Sequence, residues 1–97
     1  MKRDDVISIL STRQAELAKR YGVKWLALFG SVARDEATSA SDLDFLVEFN
    51  RPVGYFGLFA LQDYLESLFG CKVDLGTADS LKPRIRARVI EECIRVA

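Results

Sequence analysis

Apolar residues change their spacing several times along this chain, and each change marks an element. From Asp4 to about Arg20, Val6, Ile7, Leu10 and Leu17, with Tyr21 just beyond, recur at helical spacing among Lys, Arg, Gln and Glu. That pattern predicts one amphipathic helix, stopped by Gly22. Val23 to Phe29 (VKWLALF) is short, apolar, rich in strand formers and bounded by glycines, as a buried strand should be. Gly30-Ser31 then turns the chain, with Ser31 placed to cap a single helical turn reaching Arg34. After a loop of Ala, Thr, Ser and Asp, Asp42 to Phe49 reads as a second strand. Gly54 to Phe69 carries Phe56, Phe59, Leu61, Leu65, Leu68 and Phe69 along a long helix, despite Gly57, and Gly70 ends it. Lys72 to Leu75 (KVDL) predicts a short third strand. A last helix starts near Ser80 with Pro83 in its first turn, and its apolar stripe is Ile85, Val89, Cys93 and Ile94. The order is helix, strand, short helix, strand, helix, strand, helix: an α/β fold with a small mixed β-sheet flanked by helices, forming one domain over residues 1–97.

Composition narrows what such a fold can do. The chain has 97 residues, enough for one core, and its 49% hydrophobic and 29% charged residues place it with folded globular proteins. Fourteen basic residues balance fourteen acidic ones, so no overall positive field recruits DNA or RNA, and direct nucleic-acid binding is not expected. The N-terminal apolar run is too short for a signal peptide, and no stretch is long enough to span a bilayer, so a cytoplasmic protein is expected. Cys71 and Cys93 form no CxxC pair and suit buried free thiols better than a disulfide or zinc site. Histidine is absent, which removes Ser-His and Cys-His nucleophile schemes and His-based metal sites. Catalysis must therefore rest on carboxylates, arginines, lysines and backbone.

The carboxylates are unusually placed. Side chains alternate across a strand, so Asp42, Asp44, Leu46 and Glu48 share one face while Leu43, Phe45, Val47 and Phe49 share the other. The apolar face packs against helices, and the two aspartates at the start of the opposite face repel each other unless neutralised. A divalent cation with oxygen ligands is the natural partner, and Mg²⁺ takes one or two protein carboxylates plus phosphates and water. If KVDL pairs beside the second strand, Asp74 joins them, and three acids on neighbouring strands suit a two-metal site. Gly30-Ser31 supplies a backbone that a phosphate can approach, with free N–H groups and a hydroxyl, and Arg34 lies one turn on. Taken singly, each feature also has an ordinary reading: Asp-x-Asp as turn chemistry, Ser31 as an N-cap, Asp74 as a surface residue, and Arg34 with Glu36 as a weak ion pair.

Together, GSVARDEATSASDLDFLVEF followed by KVDL resembles the nucleotidyltransferase superfamily that includes polymerase beta and kanamycin nucleotidyltransferase. More narrowly, the chain looks like the minimal nucleotidyltransferase (MNT) antitoxins that act beside HEPN-domain ribonuclease toxins. The resemblance covers nearly the whole chain, including LKPRIRARVIEECIRV, and implies the polymerase beta-like fold. It also implies that Gly30, Ser31 and Arg34 bind the nucleotide, and that Asp42, Asp44 and Asp74 are catalytic and hold Mg²⁺. Where many relatives have glycine after the arginine, this chain has Asp35, an added negative charge near the triphosphate.

The implied activity is metal-dependent transfer of AMP from ATP to a tyrosine of the HEPN partner (AMPylation), with pyrophosphate released and a hetero-oligomer formed with the toxin. A domain this small offers a nucleotide half and no acceptor half, so the acceptor is expected from another molecule. Two alternatives stand beside it: a non-catalytic antitoxin that neutralises its partner by binding, and a nucleotidyltransferase acting on a small molecule such as an aminoglycoside. The basic cluster Lys82, Arg84, Arg86 and Arg88 reads either as a solvated face or as a partner or nucleotide surface. In YFGLF (Tyr55 to Phe59) most side chains should be core, with Tyr55 and Phe56 candidates for an exposed contact.

Overall fold

The computed structural model describes residues 2–33, 42–77 and 82–96. Among them the elements run α1 (Arg3–Ser11), α2 (Gln14–Tyr21), β1 (Val23–Phe29), α3 (Gly30–Ala33), β2 (Leu43–Phe49), α4 (Gly54–Phe69), β3 (Val73–Thr77), α5 (Pro83–Glu92) and β4 (Ile94–Arg95). The sheet order is β3-β2-β1-β4, with β1 antiparallel to both β2 and β4, and β3 parallel to β2. This is the mixed sheet expected. A parallel pair needs a crossover, and α4 supplies it between β2 and β3.

One face of the sheet carries the main core. Leu26 and Leu28 of β1, Phe45 and Val47 of β2, and Val73 and Leu75 of β3 are buried with Val6 and Leu10 of α1, Leu17 of α2, and Leu61, Leu65 and Phe69 of α4. The rings of Phe45 and Phe69 stack at 6.2 Å between centroids. The second face is not uniformly polar: Leu46 is only 1% exposed, as is its cross-strand partner Ala27.

Several elements differ from the periodic reading. The predicted first helix is two helices, broken at Thr12-Arg13. The Ser11 and Thr12 hydroxyls donate to the carbonyls of Ser8 and Ile9, each at 2.8 Å, so both side chains bond locally where the helical ladder would continue. Hydrophobic spacing alone runs straight through that break. The last helix ends at Glu92, so Cys93 and Ile94 leave its stripe, and Ile94–Arg95 instead forms a strand on β1, with the Val96 N–H donating to the Leu26 carbonyl at 2.9 Å. Phe59, expected in the core, is exposed because the buried line of α4 runs through Leu61, Leu65 and Phe69, whereas the exposure of Tyr55 and Phe56 matches their reading as candidates for an exposed contact. Neither Cys71 nor Cys93 is in a disulfide, both are only partly buried, and burial pushes the Cys93 thiol up.

A polar cluster ties α2 to α4. Tyr64 donates its hydroxyl to the Glu16 carboxylate at 3.1 Å, its ring lies 4.9 Å from that of Tyr21, and Arg13 and Arg20 both pair with Glu16. Burial raises the Tyr64 pKa; the nearby Arg13 opposes that rise and Glu16 adds to it. Tyr64→Phe removes the hydrogen bond and keeps the ring packing, so it should cost about 1 kcal/mol, measurable by urea denaturation as a lower midpoint at unchanged slope. No helix among the described residues is long and apolar enough to cross a membrane.

Candidate active site

The acids meet where three strands line up. In the register, Phe29 of β1 stands opposite Asp44 of β2, and Asp44 stands opposite Asp74 of β3. Two carboxylates therefore sit side by side at the N-terminal ends of parallel strands. Asp44 is half-buried and Asp74 exposed. Asp42 lies just before β2, exposed, at the same end. The pairing that sequence could only pose as a condition is thus present.

Gly30 follows Phe29 directly, at the end of this row. Its φ of 77° is in the left-handed region, and a Cβ placed on it would run into the Asp44 carboxylate. The backbone of residue 30 therefore lies against the acid, which no other residue type would permit without movement. The helical turn α3 starts at Gly30, so Ser31 falls inside the turn instead of capping it from outside. Val32 and Ala33 are buried in the core and anchor the turn, and the Arg3 guanidinium donates to the Ala33 carbonyl at 3.4 Å. The Ser31 hydroxyl, Arg34, Asp35 and Glu36 lie outside the described residues.

This donor set is all carboxylate oxygen, the chemistry of a hard divalent cation. Among the described residues no three His, Cys, Asp or Glu side chains gather into a ligand cluster of their own. A pair of carboxylates is nevertheless what Mg²⁺ ordinarily takes from protein when phosphates and water complete its shell. The residues present fit that cation.

Other features stand apart from the acids. An open groove of about 810 Å³ lies at the opposite ends of β2 and β3, lined by Val47, Phe49, Val53, Tyr55, Leu58 and Leu75 among others. Its nearest lining residues on these strands, Val47 and Leu75, belong to the face opposite Asp44 and Asp74, so this hollow is not the acid site. Tyr55, Phe56 and Phe59 are exposed on α4. Lys82, Arg84 and Arg86 are exposed at the start of α5. At the far end of the acid face, the Trp25 indole donates to the carboxylate of Glu48, its cross-strand partner. Sequence reasoning also missed three supporting residues, Arg3 beneath α3 and Gln62 and Glu66 beside β3, because their partners are backbone atoms of other elements.

Known proteins share this sequence pattern and fold. The nucleotidyltransferase domain family matches residues 10–96. The protein adenylyltransferase MntA of Thermococcus cleftensis is 39% identical over 93 residues, covering 96% of this chain and 94% of its own. A solved structure assigned as a minimal nucleotidyltransferase is 35% identical, covers 97% of this chain and 95% of its own, and superposes with a TM-score of 0.83. A chain from the solved complex of the tri-AMPylated Shewanella oneidensis HEPN toxin with its MNT antitoxin shares the fold at 17% identity and a TM-score of 0.65, covering 94% of this chain and 71% of that one. The chain belongs to the nucleotidyltransferase domain family, and within it to the minimal nucleotidyltransferases.

Proposed function

We propose that this protein is a cytoplasmic antitoxin that transfers AMP from ATP to a tyrosine hydroxyl of a HEPN ribonuclease partner. The observation that carries the reading is the direct register of Asp44 with Asp74 beside the backbone of Gly30. Two further facts support it: the relative in Thermococcus cleftensis is named a protein adenylyltransferase, and the fold is shared with an MNT antitoxin bound to an AMPylated HEPN toxin.

In this scheme Gly30 and Ser31 receive the triphosphate, since a glycine backbone lets phosphate oxygens approach and the start of α3 offers N–H groups. Arg34 adds positive charge to the same phosphates. Asp42, Asp44 and Asp74 would hold Mg²⁺, which when bound neutralises the triphosphate and the charge that develops on its leaving group. The tyrosine oxygen forms a bond to the α-phosphorus, the α–β bridging P–O bond breaks, and its electron pair leaves with pyrophosphate. Asp74, exposed and on the edge strand, accepts the tyrosine proton. Most of the rate comes from positioning and charge neutralisation.

The test is intact mass spectrometry of the HEPN partner after incubation with this protein, ATP and Mg²⁺, beside an Asp42→Asn/Asp44→Asn control. A mass gain of one AMP or a multiple, seen with the wild type alone, is the expected result. A stable complex with no gain would replace catalysis with neutralisation by binding.

A further inference from the structure

β3 is an edge strand, and its register against β2 decides whether Asp74 stands opposite Asp44. The Leu43 N–H donates to the Lys72 carbonyl at 3.1 Å, which turns Lys72 toward β2. Peptide groups alternate direction along a strand, so the N–H and C=O of Val73 point to the outer edge. Both are occupied. Val73 donates its N–H to the Glu66 carboxylate at 3.2 Å, and the Gln62 side-chain amide donates to the Val73 carbonyl at 3.0 Å. Gln62 and Glu66 are four residues apart, on one face of α4. One turn of helix thus grips, with one acceptor and one donor, both outer backbone groups of the residue immediately before Asp74.

We propose that Gln62 and Glu66 are positioning residues that hold β3 in the register that sets Asp74 opposite Asp44, and so maintain the cation site. The proposal rests on the reading of Asp44 and Asp74 as ligands. Its physical basis is the strand's own period: a slip of one residue would carry the Asp74 side chain to the other face, and a slip of two would move it by roughly 7 Å. Burial of Val73 and Leu75 already fixes which face of β3 looks inward, so the slip left to resist is one of two residues, and a clamp on the backbone of Val73 resists it. The pair is also directional. A carboxylate suits an N–H and an amide N–H suits a carbonyl, so exchanging the two side chains would put a carboxylate against a carbonyl.

The experiment measures Mn²⁺ affinity by electron paramagnetic resonance of the free ion, with a non-hydrolysable ATP analogue present. The proteins compared are the wild type and the variants Asp74→Asn, Gln62→Ala, Glu66→Ala, Glu66→Gln and Tyr64→Phe. Loss of a group that orients a ligand typically weakens metal binding about 10–100-fold, so Glu66→Ala and Gln62→Ala should each weaken Mn²⁺ by about 10-fold. Glu66→Gln keeps an acceptor oxygen without the charge and should restore most of that affinity. Tyr64→Phe, which loosens α4 elsewhere, should leave it unchanged. Should Glu66→Ala fail to fold, Gln62→Ala still tests the clamp through its donor, and Glu66→Gln separates acceptor from charge. Wild-type affinity in both alanine variants, alongside weakened binding by Asp74→Asn, would overturn the clamp and leave the acid site standing. So would equal losses in Glu66→Gln and Glu66→Ala, which would assign Glu66 a role through its charge. Unchanged binding by Asp74→Asn, or none by the wild type, would remove the acid-site reading and the clamp with it.

Discussion

Asp44→Asn should reduce AMP transfer by about 10³-fold or more while the protein stays folded. The substitution keeps the shape of the side chain and removes the charge. Charge stabilisation by a bound cation contributes several kcal/mol to the transition state, and each 1.36 kcal/mol is tenfold in rate, so losing a ligand in the row is worth about 4 kcal/mol. Asp44 is the member of the row with neighbours on both sides, Phe29 and Asp74, and with the Gly30 backbone against its carboxylate. Asp42 and Asp74 are both more exposed. Asp74→Asn provides the contrasting measurement. It removes one of two like charges placed opposite each other across a strand pair, an arrangement that is destabilising in the absence of a cation. Its thermal midpoint without Mg²⁺ should therefore equal or exceed that of the wild type, while transfer falls. Adding Mg²⁺ and an ATP analogue should raise the wild-type midpoint and move that of either variant less, since only binding to the folded state stabilises it. Full transfer by Asp44→Asn would remove the acids from the mechanism.

What sequence showed and what it hid follows from the range of the interactions. Val23 to Phe29 and Asp42 to Phe49 were legible as strands because an apolar run between turn signals is a local pattern, and Gly54 to Phe69 was legible because its period and terminal glycine are local too. The alternation within the second strand correctly put Asp44 on the face opposite Phe45. Leu46, on the acid face, gave no sign of its burial, which depends on a neighbour such as Ala27 in another strand. The strand Ile94–Arg95 was invisible for the same reason: two residues carry no period, and its bonds are to β1, far earlier in the chain. Gln62 and Glu66 looked like the polar side of an amphipathic helix. Only the backbone of Val73 gives them a role. The site's residue types were thus written locally, whereas the register that brings Asp74 to Asp44 depends on tertiary structure.

Gly30→Ala should separate that geometry from simple stability. The left-handed backbone at residue 30 costs any residue with a Cβ roughly 1–2 kcal/mol, which alone would lower the melting temperature by several degrees. Gly54 has φ 63° and nothing within 4 Å of where a methyl would sit, so Gly54→Ala should carry a similar conformational cost and no collision. At residue 30 the new methyl also meets the Asp44 carboxylate, and either that side chain rotates or α3 lifts from the end of β1. Both responses displace a reacting group, and a misplacement of about 1 Å can cost about 10²-fold in rate. Gly30→Ala should therefore lose about 100-fold in transfer, with Mn²⁺ affinity falling alongside, whereas Gly54→Ala should lose comparable stability and keep both. The comparison turns on the pair at matched stability. Equal activity in the two variants would mean that the close approach of Gly30 to Asp44 serves the fold alone; a loss confined to Gly30→Ala would show that the bare backbone at this turn is what lets the Asp44 carboxylate point into the site.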